Sequence, residues 1–274
     1  MAAPSIRQTL TTAASSFPFS DTPRLDAELL MAHALGTSRE TLLLRHIDDP
    51  VPPAFAALAE RRARHEPVAY ITGTRAFWTI DLQVGPGVLI PRADSETLIE
   101  AAAAHFARRA PATILDLGTG PGTLLFAALD QWPDARGLGI DQSQEAQRYF
   151  EINVAALGMA QRVRFRCGDW AEGLDDRFDL VLANPPYIAT GDPLPPEVSD
   201  YEPAAALYAG ADGLDAYRVL APQIARLLAP GGIACIEIGA TQAQSAGALF
   251  VAQGLSVALR QDLAGRDRCL IVTP

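Results

Sequence analysis

From Ser95 to the C-terminus, short apolar runs alternate with stretches of helical period. Thr113–Leu117, Arg136–Ile140, Val163–Cys167 and Phe178–Ala183 have strand length, and a helix-like stretch, Thr123–Asp130, lies between the first two. This alternation predicts a doubly wound parallel sheet. Two last runs, Leu255–Arg260 and Arg268–Val272, are separated by a turn at Ala264-Gly265 and predict an antiparallel pair that closes the sheet.

The first third has a different period. Apolar Leu25, Leu29, Leu30 and Ala34 place one face on a helix over Arg24–Leu35, and Pro52–Arg64 reads as a second helix with proline in its first turn. Breaks fall at Pro23, Gly36 and Pro50-Val51-Pro52-Pro53. Ala76–Val84 then alternates in part, Gly85-Pro86-Gly87 turns, and Val88–Ile90 follows, which predicts a β-hairpin. The expected organisation is a small helical domain over residues 1–75, a hairpin linker over 76–92 and an α/β domain over 93–274.

Composition narrows the chemistry. With 274 residues, 49% hydrophobic and 20% charged, the chain has the make-up of a soluble globular protein with a sizeable core. All 22 basic residues are Arg, so lysine Schiff-base and lysine-nucleophile chemistry are excluded. Residues 1–75 are neutral, with eight Arg and eight acids, and the remaining 14 Arg against 24 acids carry the whole net charge of −10. Such an acidic half is a poor platform for a phosphate backbone. Arg61, Arg62 and Arg64 form one local basic cluster, read here as a solvated helix face.

Three scattered cysteines, Cys167, Cys235 and Cys269, contain no C-x-x-C pair and predict reduced thiols rather than disulfides or zinc. The four histidines lie away from the motifs below, and no metal is expected. Met1–Phe17 has no signal-peptide pattern, and no run reaches the ~20 apolar residues of a membrane span, so a cytoplasmic protein is expected.

The candidate chemistry sits at strand ends, where open α/β sheets bind ligands. Asp116-Leu117-Gly118-Thr119-Gly120-Pro121-Gly122 ends the first strand. Its third glycine comes one place too early for a G-x-G-x-x-G dinucleotide fingerprint, and a phosphate loop of the G-K-[ST] type needs the lysine this chain lacks. The pattern fits an S-adenosylmethionine loop better than a nicotinamide or flavin loop. Asp141 follows ~20 residues later, where an acid holds ribose hydroxyls. Gly168-Asp169-Trp170 offers an acceptor for an adenine amino group and a ring to pack on it.

Asn184-Pro185-Pro186-Tyr187 follows the Phe178–Ala183 run. The Asn184 side-chain oxygen and the Pro185 carbonyl can accept both hydrogens of a planar –NH2 group, with Tyr187 covering its face. The plainer alternative is a polar turn after a strand.

Taken in order, these residues resemble the bacterial peptide chain release factor glutamine methyltransferases, the HemK/PrmC family. The resemblance runs through Glu66–Arg75 with Phe77-Trp78, Leu89-Ile90-Pro91-Arg92 with Asp94 and Glu96, the glycine loop, Gly168-Asp169-Trp170 and Asn184–Ile188. It continues through Tyr201-Glu202-Pro203, Gly213-Leu214-Asp215 with Tyr217, Glu237-Ile238-Gly239 and Asp262–Arg268. Ala93 and Ser95 replace the Pro and Thr more usual in the arginine signature, and Thr123-Leu124 replaces a small-apolar pair.

The resemblance implies an α/β, doubly wound Rossmann-like S-adenosylmethionine-dependent methyltransferase domain, with the N-terminal helical domain docking the substrate. It implies N5 methylation of the glutamine in the Gly-Gly-Gln loop of class I peptide chain release factors, with S-adenosylhomocysteine as product and no direct nucleic-acid or membrane partner. Asn184, Pro185 and Tyr187 are then the expected catalytic residues. Asp116, Gly118, Thr119, Gly120, Pro121, Gly122, Asp141, Asp169, Trp170 and Asn184 are expected around the cofactor. Arg92 and Glu96, with Asn184–Tyr187, are expected to contact substrate, or else Arg92 and Glu96 form a surface ion pair at a helix start. Glu237 is expected to pair with Arg266 or Arg268, and residues 188–211 to form a substrate-contacting lid. The competing activities are methylation of a ribosomal-protein glutamine and of the adenine amino group in DNA.

Overall fold

The computed structural model describes residues 5–274, which divide into two compact units. The first runs to Thr74 and also includes Pro195–Tyr201; the second comprises Arg75–Leu194 and Glu202–Pro274.

The first unit is helical: α1 (Ile6–Ser15), α2 (Pro23–Leu35), α3 (Arg39–Thr41) running into a π-turn at Leu42–His46, α4 (Phe55–Ala63) and α5 (Val68–Thr72). Pro23 opens α2 and Gly36, at φ 65°, closes it in the left-handed conformation that favours glycine. Ile6, Leu10, Phe17, Leu30, Met31, Leu42 and Phe55 form its core. Of the Arg61–Arg64 cluster, Arg64 is exposed as the sequence suggests, but Arg62 is not. Arg62 is 4% exposed, because Asp26 and Glu197 each meet it at 2.8 Å and the Phe19 ring lies 4.7 Å beneath it. Two carboxylates and an aromatic face offset the desolvation that would otherwise keep this guanidinium at the surface.

The second unit starts one residue into a hairpin, β1 (Thr74–Phe77) and β2 (Ile80–Gln83), and continues α6 (Glu96–His105), β3 (Thr113–Leu117), α7 (Thr123–Gln131), β4 (Arg136–Asp141), α8 (Gln144–Ala156), β5 (Val163–Cys167) and β6 (Phe178–Ala183). After α9 (Pro196–Ser199), which belongs to the first unit, come α10 (Asp215–Leu227), β7 (Leu228–Glu237), α11 (Ala243–Val251), β8 (Ser256–Gln261) and β9 (Asp267–Thr273). The hairpin turns at Trp78-Thr79 rather than at Gly85–Gly87, and Val88–Ile90 forms no strand. Trp78 adopts φ 54° and its amide donates to Glu96 Oε1 at 2.8 Å, a tertiary tie that local periodicity does not report.

The large sheet has the order β5-β4-β3-β6-β7-β9-β8. The first five strands are parallel, and β9 pairs antiparallel with both β7 and β8, as the closing pair predicts. Leu115, Leu117, Val181, Leu220, Ile224, Ile236 and Phe250 belong to its apolar core. After β3 the chain winds outward through β4 and β5, and it returns with β6 on the other side of β3. The crevice at the carboxyl ends of β3 and β6 is thus the topological switch point, where such sheets take ligands.

Candidate active site

The loop after β3 is held open by its own backbone. Gly118, Gly120 and Gly122 have φ 72°, 54° and 92°, and a Cβ on Gly122 would lie 2.0 Å from the Phe126 ring. The Gly118 and Thr119 amides donate to the Ile140 carbonyl at 2.9 and 3.0 Å. Asp141, at the end of β4, accepts from the Gly120 amide and from the Ser143 amide, each at 2.9 Å. The loop, the β4 end and the β5 end thereby line one cavity of about 400 Å³, a size suited to a nucleoside-containing ligand. Its walls include Gly118, Gly120, Asp141, Asp169, Trp170, Asn184 and Pro186. Trp170, at φ 47°, brings its indole against Gly118. Asp169 is exposed.

Asp116 lies behind the loop at 1% exposure and lines a smaller adjoining pocket with Arg92, Ser95, Thr119, Pro121 and Asn184. Its Oδ2 accepts the Thr119 hydroxyl at 2.6 Å, while its Oδ1 is buried without a well-formed hydrogen bond. Burial pushes the carboxyl up to about 7, against the pull of the Thr119 hydroxyl and the Leu125 amide; nearby Asp141 adds to the rise. A buried acid with one poorly satisfied oxygen is a receptor for a cation.

Asn184 is half-buried at the end of β6. Its Nδ2 donates to Ser95 Oγ at 3.2 Å, and Ser95 in turn donates to Glu237 Oε2 at 2.5 Å. Tyr187 donates its hydroxyl to Glu237 Oε1 at 3.3 Å, and its carbonyl accepts from Gln242 Nε2 at 3.0 Å. Glu237 is 1% exposed, and burial raises its carboxyl above the ordinary range despite the hydrogen bond from Ser95 and the charge of Arg268. The expected pairing of Glu237 with Arg266 or Arg268 is therefore not formed. Arg268 pairs with Asp94 and Asp262, each at 3.3 Å, and Glu237 accepts instead from Ser95 and Tyr187.

Arg92 and Glu96 do not pair with each other. Arg92 bridges to Glu202, which also accepts the Ile90 amide at 3.0 Å, and Glu96 holds the Trp78 amide. Arg92 lines the smaller pocket, whereas Glu96, Gly122, Pro185 and Tyr187 line neither cavity. Pro185 is buried, and Tyr187 turns its hydroxyl to Glu237. Sequence reasoning missed Ser95 and Gln242. The place of Ser95 between Arg92 and Glu96 was the available signal for the first; none marks the second.

Comparison with known proteins decides the family. Residues 8–73 match the PrmC N-terminal domain and residues 109–254 a methyltransferase domain. The release factor glutamine methyltransferase of Rhodospirillum rubrum is 44% identical over 255 residues, covering 91% of this chain and 78% of that one. The chain belongs to the release factor glutamine methyltransferase family. The Caulobacter vibrioides member is 43% identical over 258 residues, covering 92% of this chain and 89% of its own. A ribosomal protein L11 methylase from Lactobacillus delbrueckii subsp. bulgaricus, 20% identical with a TM-score of 0.52 over 70% of this chain and 84% of that one, shares the fold.

The methyl donor of such a methyltransferase is S-adenosylmethionine, and the residues present fit it. Asp116 places a buried carboxyl in the adjoining pocket, Asp141 and Asp169 offer acceptors, and Trp170 offers a ring face along the cavity wall. Among the described residues no group of three or more His, Cys, Asp or Glu is arranged to hold a metal, and no helix is long and apolar enough to cross a membrane.

Proposed function

We propose that this protein transfers a methyl group from S-adenosylmethionine to the side-chain amide nitrogen, N5, of the glutamine in the Gly-Gly-Gln loop of class I peptide chain release factors. The observation that carries the reading is Asn184, an amide acceptor at the carboxyl end of β6, on the wall shared by the cofactor cavity and the pocket beside Asp116.

An amide nitrogen is a weak nucleophile because its lone pair is delocalised into the carbonyl. None of the four histidines lines either cavity and the chain has no lysine, and the carboxylates that do line them are far too weakly basic to deprotonate an amide. Asn184 Oδ1 and the Pro185 carbonyl accept its two N–H groups instead and fix the direction of the lone pair. S-adenosylmethionine, held along the wall formed by Gly118, Asp141, Asp169 and Trp170, would supply a sulfonium methyl, the C–S electrons leaving with sulfur as nitrogen takes the carbon. As positive charge develops on nitrogen, both acceptors bind its protons more strongly, so they stabilise the transition state more than the ground state. The N-methylated amide then loses a proton to water without help, since a positively charged amide nitrogen is strongly acidic. Pro185 suits the task because its ring fixes φ and hence the carbonyl direction.

The test is methyl transfer from labelled donor to three acceptors in parallel: a class I release factor, the same factor with its loop glutamine changed to alanine, and duplex DNA. Label on the intact factor alone supports the reading. Label on DNA, or equal label on both factor forms, overturns it.

A further inference from the structure

An asparagine side chain has nearly the same shape when its oxygen and nitrogen are exchanged, so something must decide which end meets the substrate. With Oδ1 outward, Asn184 accepts a substrate N–H. With the –NH2 outward it opposes one. The clamp therefore depends on groups behind Asn184 that the mechanism above does not use.

We propose that Glu237 and Ser95 form a positioning relay that locks Asn184 with its oxygen toward the substrate amide; the proposal rests on the clamp reading above. The Ser95 hydroxyl donates its single proton to Glu237 Oε2 at 2.5 Å. Ser95 Oγ then presents only lone pairs to Asn184, and only the Asn184 –NH2 satisfies the 3.2 Å contact. Tyr187 donates to the other Glu237 oxygen, which leaves Ser95 no competing partner there. Burial raises the Glu237 carboxyl, against which the Ser95 hydrogen bond and the charge of Arg268, at the start of β9, favour the anion; the Tyr217 hydroxyl donates to the Glu237 carbonyl at 2.9 Å.

The members come from three separate elements: the turn before α6, the end of β6 and the end of β7. All sit in the same unit, with Ser95 and Glu237 at 1% exposure. A chain of donors with one permitted direction, aimed at a half-exposed amide, does more than brace the fold.

Steady-state kinetics and cofactor titration on Ser95→Ala, Ser95→Thr, Glu237→Gln and the Ser95→Ala/Glu237→Gln double variant test the relay, with Asn184→Ala alongside. The relay predicts that Ser95→Ala and Glu237→Gln each lower kcat by about tenfold, the upper end of what one lost hydrogen bond costs, with cofactor Kd within about twofold of the parent. Ser95→Thr, which keeps the hydroxyl, recovers most of kcat. The double variant is no slower than Ser95→Ala, because the two act in series.

Glu237→Gln separates positioning from bracing. It is isosteric and relieves a buried charge, so a purely structural role predicts unchanged or better thermal stability with kcat intact, whereas the relay predicts a fall in kcat without loss of stability. If Asn184→Ala loses turnover while Ser95→Ala or Glu237→Gln keeps parental kcat, the relay is wrong and the clamp survives. Losses that multiply in the double variant, or that match equal losses of cofactor affinity, also overturn the relay. If Asn184→Ala itself keeps turnover, the clamp reading is the one that fails.

Discussion

Replacing Asp116 by Asn tests whether the buried carboxylate beside the glycine loop receives the positive end of the methyl donor. In the free protein burial holds this carboxyl near pKa 7, so it is largely neutral in mild acid and largely ionised above neutrality. If a cationic ligand binds only the ionised form, its Kd scales with one plus the protonated-to-ionised ratio. For a pKa of about 7, Kd then rises about 25-fold between pH 7.5 and 5.5. The direction follows from the charge: protonating Asp116 removes the partner of a cation, so affinity falls as pH falls through 7. Asp116→Asn is neutral throughout. It should bind about tenfold more weakly at pH 7.5, the loss of one charge-assisted contact, and show no slope below neutrality. The assay is titration of S-adenosylmethionine followed by quenching of Trp170, which lines the cavity, with calorimetry as a check. A flat pH profile in the parent protein, or an unchanged slope in Asp116→Asn, would refute the reasoning.

Two further substitutions probe how the site is built. Gly122→Ala forces a Cβ to 2.0 Å from the buried Phe126 ring at φ 92°; left-handed strain and overpacking together should cost about 3 kcal/mol, read as a lower denaturant midpoint, and an unchanged midpoint contradicts the close approach. Arg92→Ala strips the ion-pair partner from Glu202, whose side chain is 1% exposed, and leaves it the Ile90 amide. A loss of about 3 kcal/mol is expected from the uncompensated charge, with part recovered in Arg92→Ala/Glu202→Gln; a double variant no more stable than the single one would show that charge burial is not the cause.

Six of the seven strands of the large sheet were legible because each is a short apolar run bounded by turn residues, whereas β7, which opens on Leu228-Ala229-Pro230-Gly231-Gly232, was not read. The common edge of the site was legible too, since parallel strands send all their carboxyl ends one way: Gly118, Asp141 and Asn184 had to share a rim once β3, β4 and β6 were recognised. What escaped the sequence is tertiary. The hairpin turn sits at Trp78-Thr79 because Glu96, 18 residues on, captures the Trp78 amide. Arg62 looked solvated beside Arg61 and Arg64, yet it turns inward to Asp26, 36 residues away, and to Glu197. Glu237 stands close in sequence to no obvious partner but the arginines after β8, and Ser95, 142 residues earlier, reaches it first. Sequence spacing identifies which side chains lie at a strand end; it does not say which of them spend their hydrogen bonds on one another.

The central claim is that an amide clamp at the end of β6 aims a glutamine nitrogen at the donor methyl, and Asn184→Ala tests it most directly. Single-turnover methyl transfer to an intact release factor and donor affinity should be measured on the same preparation. The account predicts that the transfer rate falls about 10²- to 10³-fold, the loss typical of one transition-state hydrogen-bonding group, while donor Kd stays within about threefold. A transfer rate close to the parent's, or equal losses in rate and donor affinity, would contradict it.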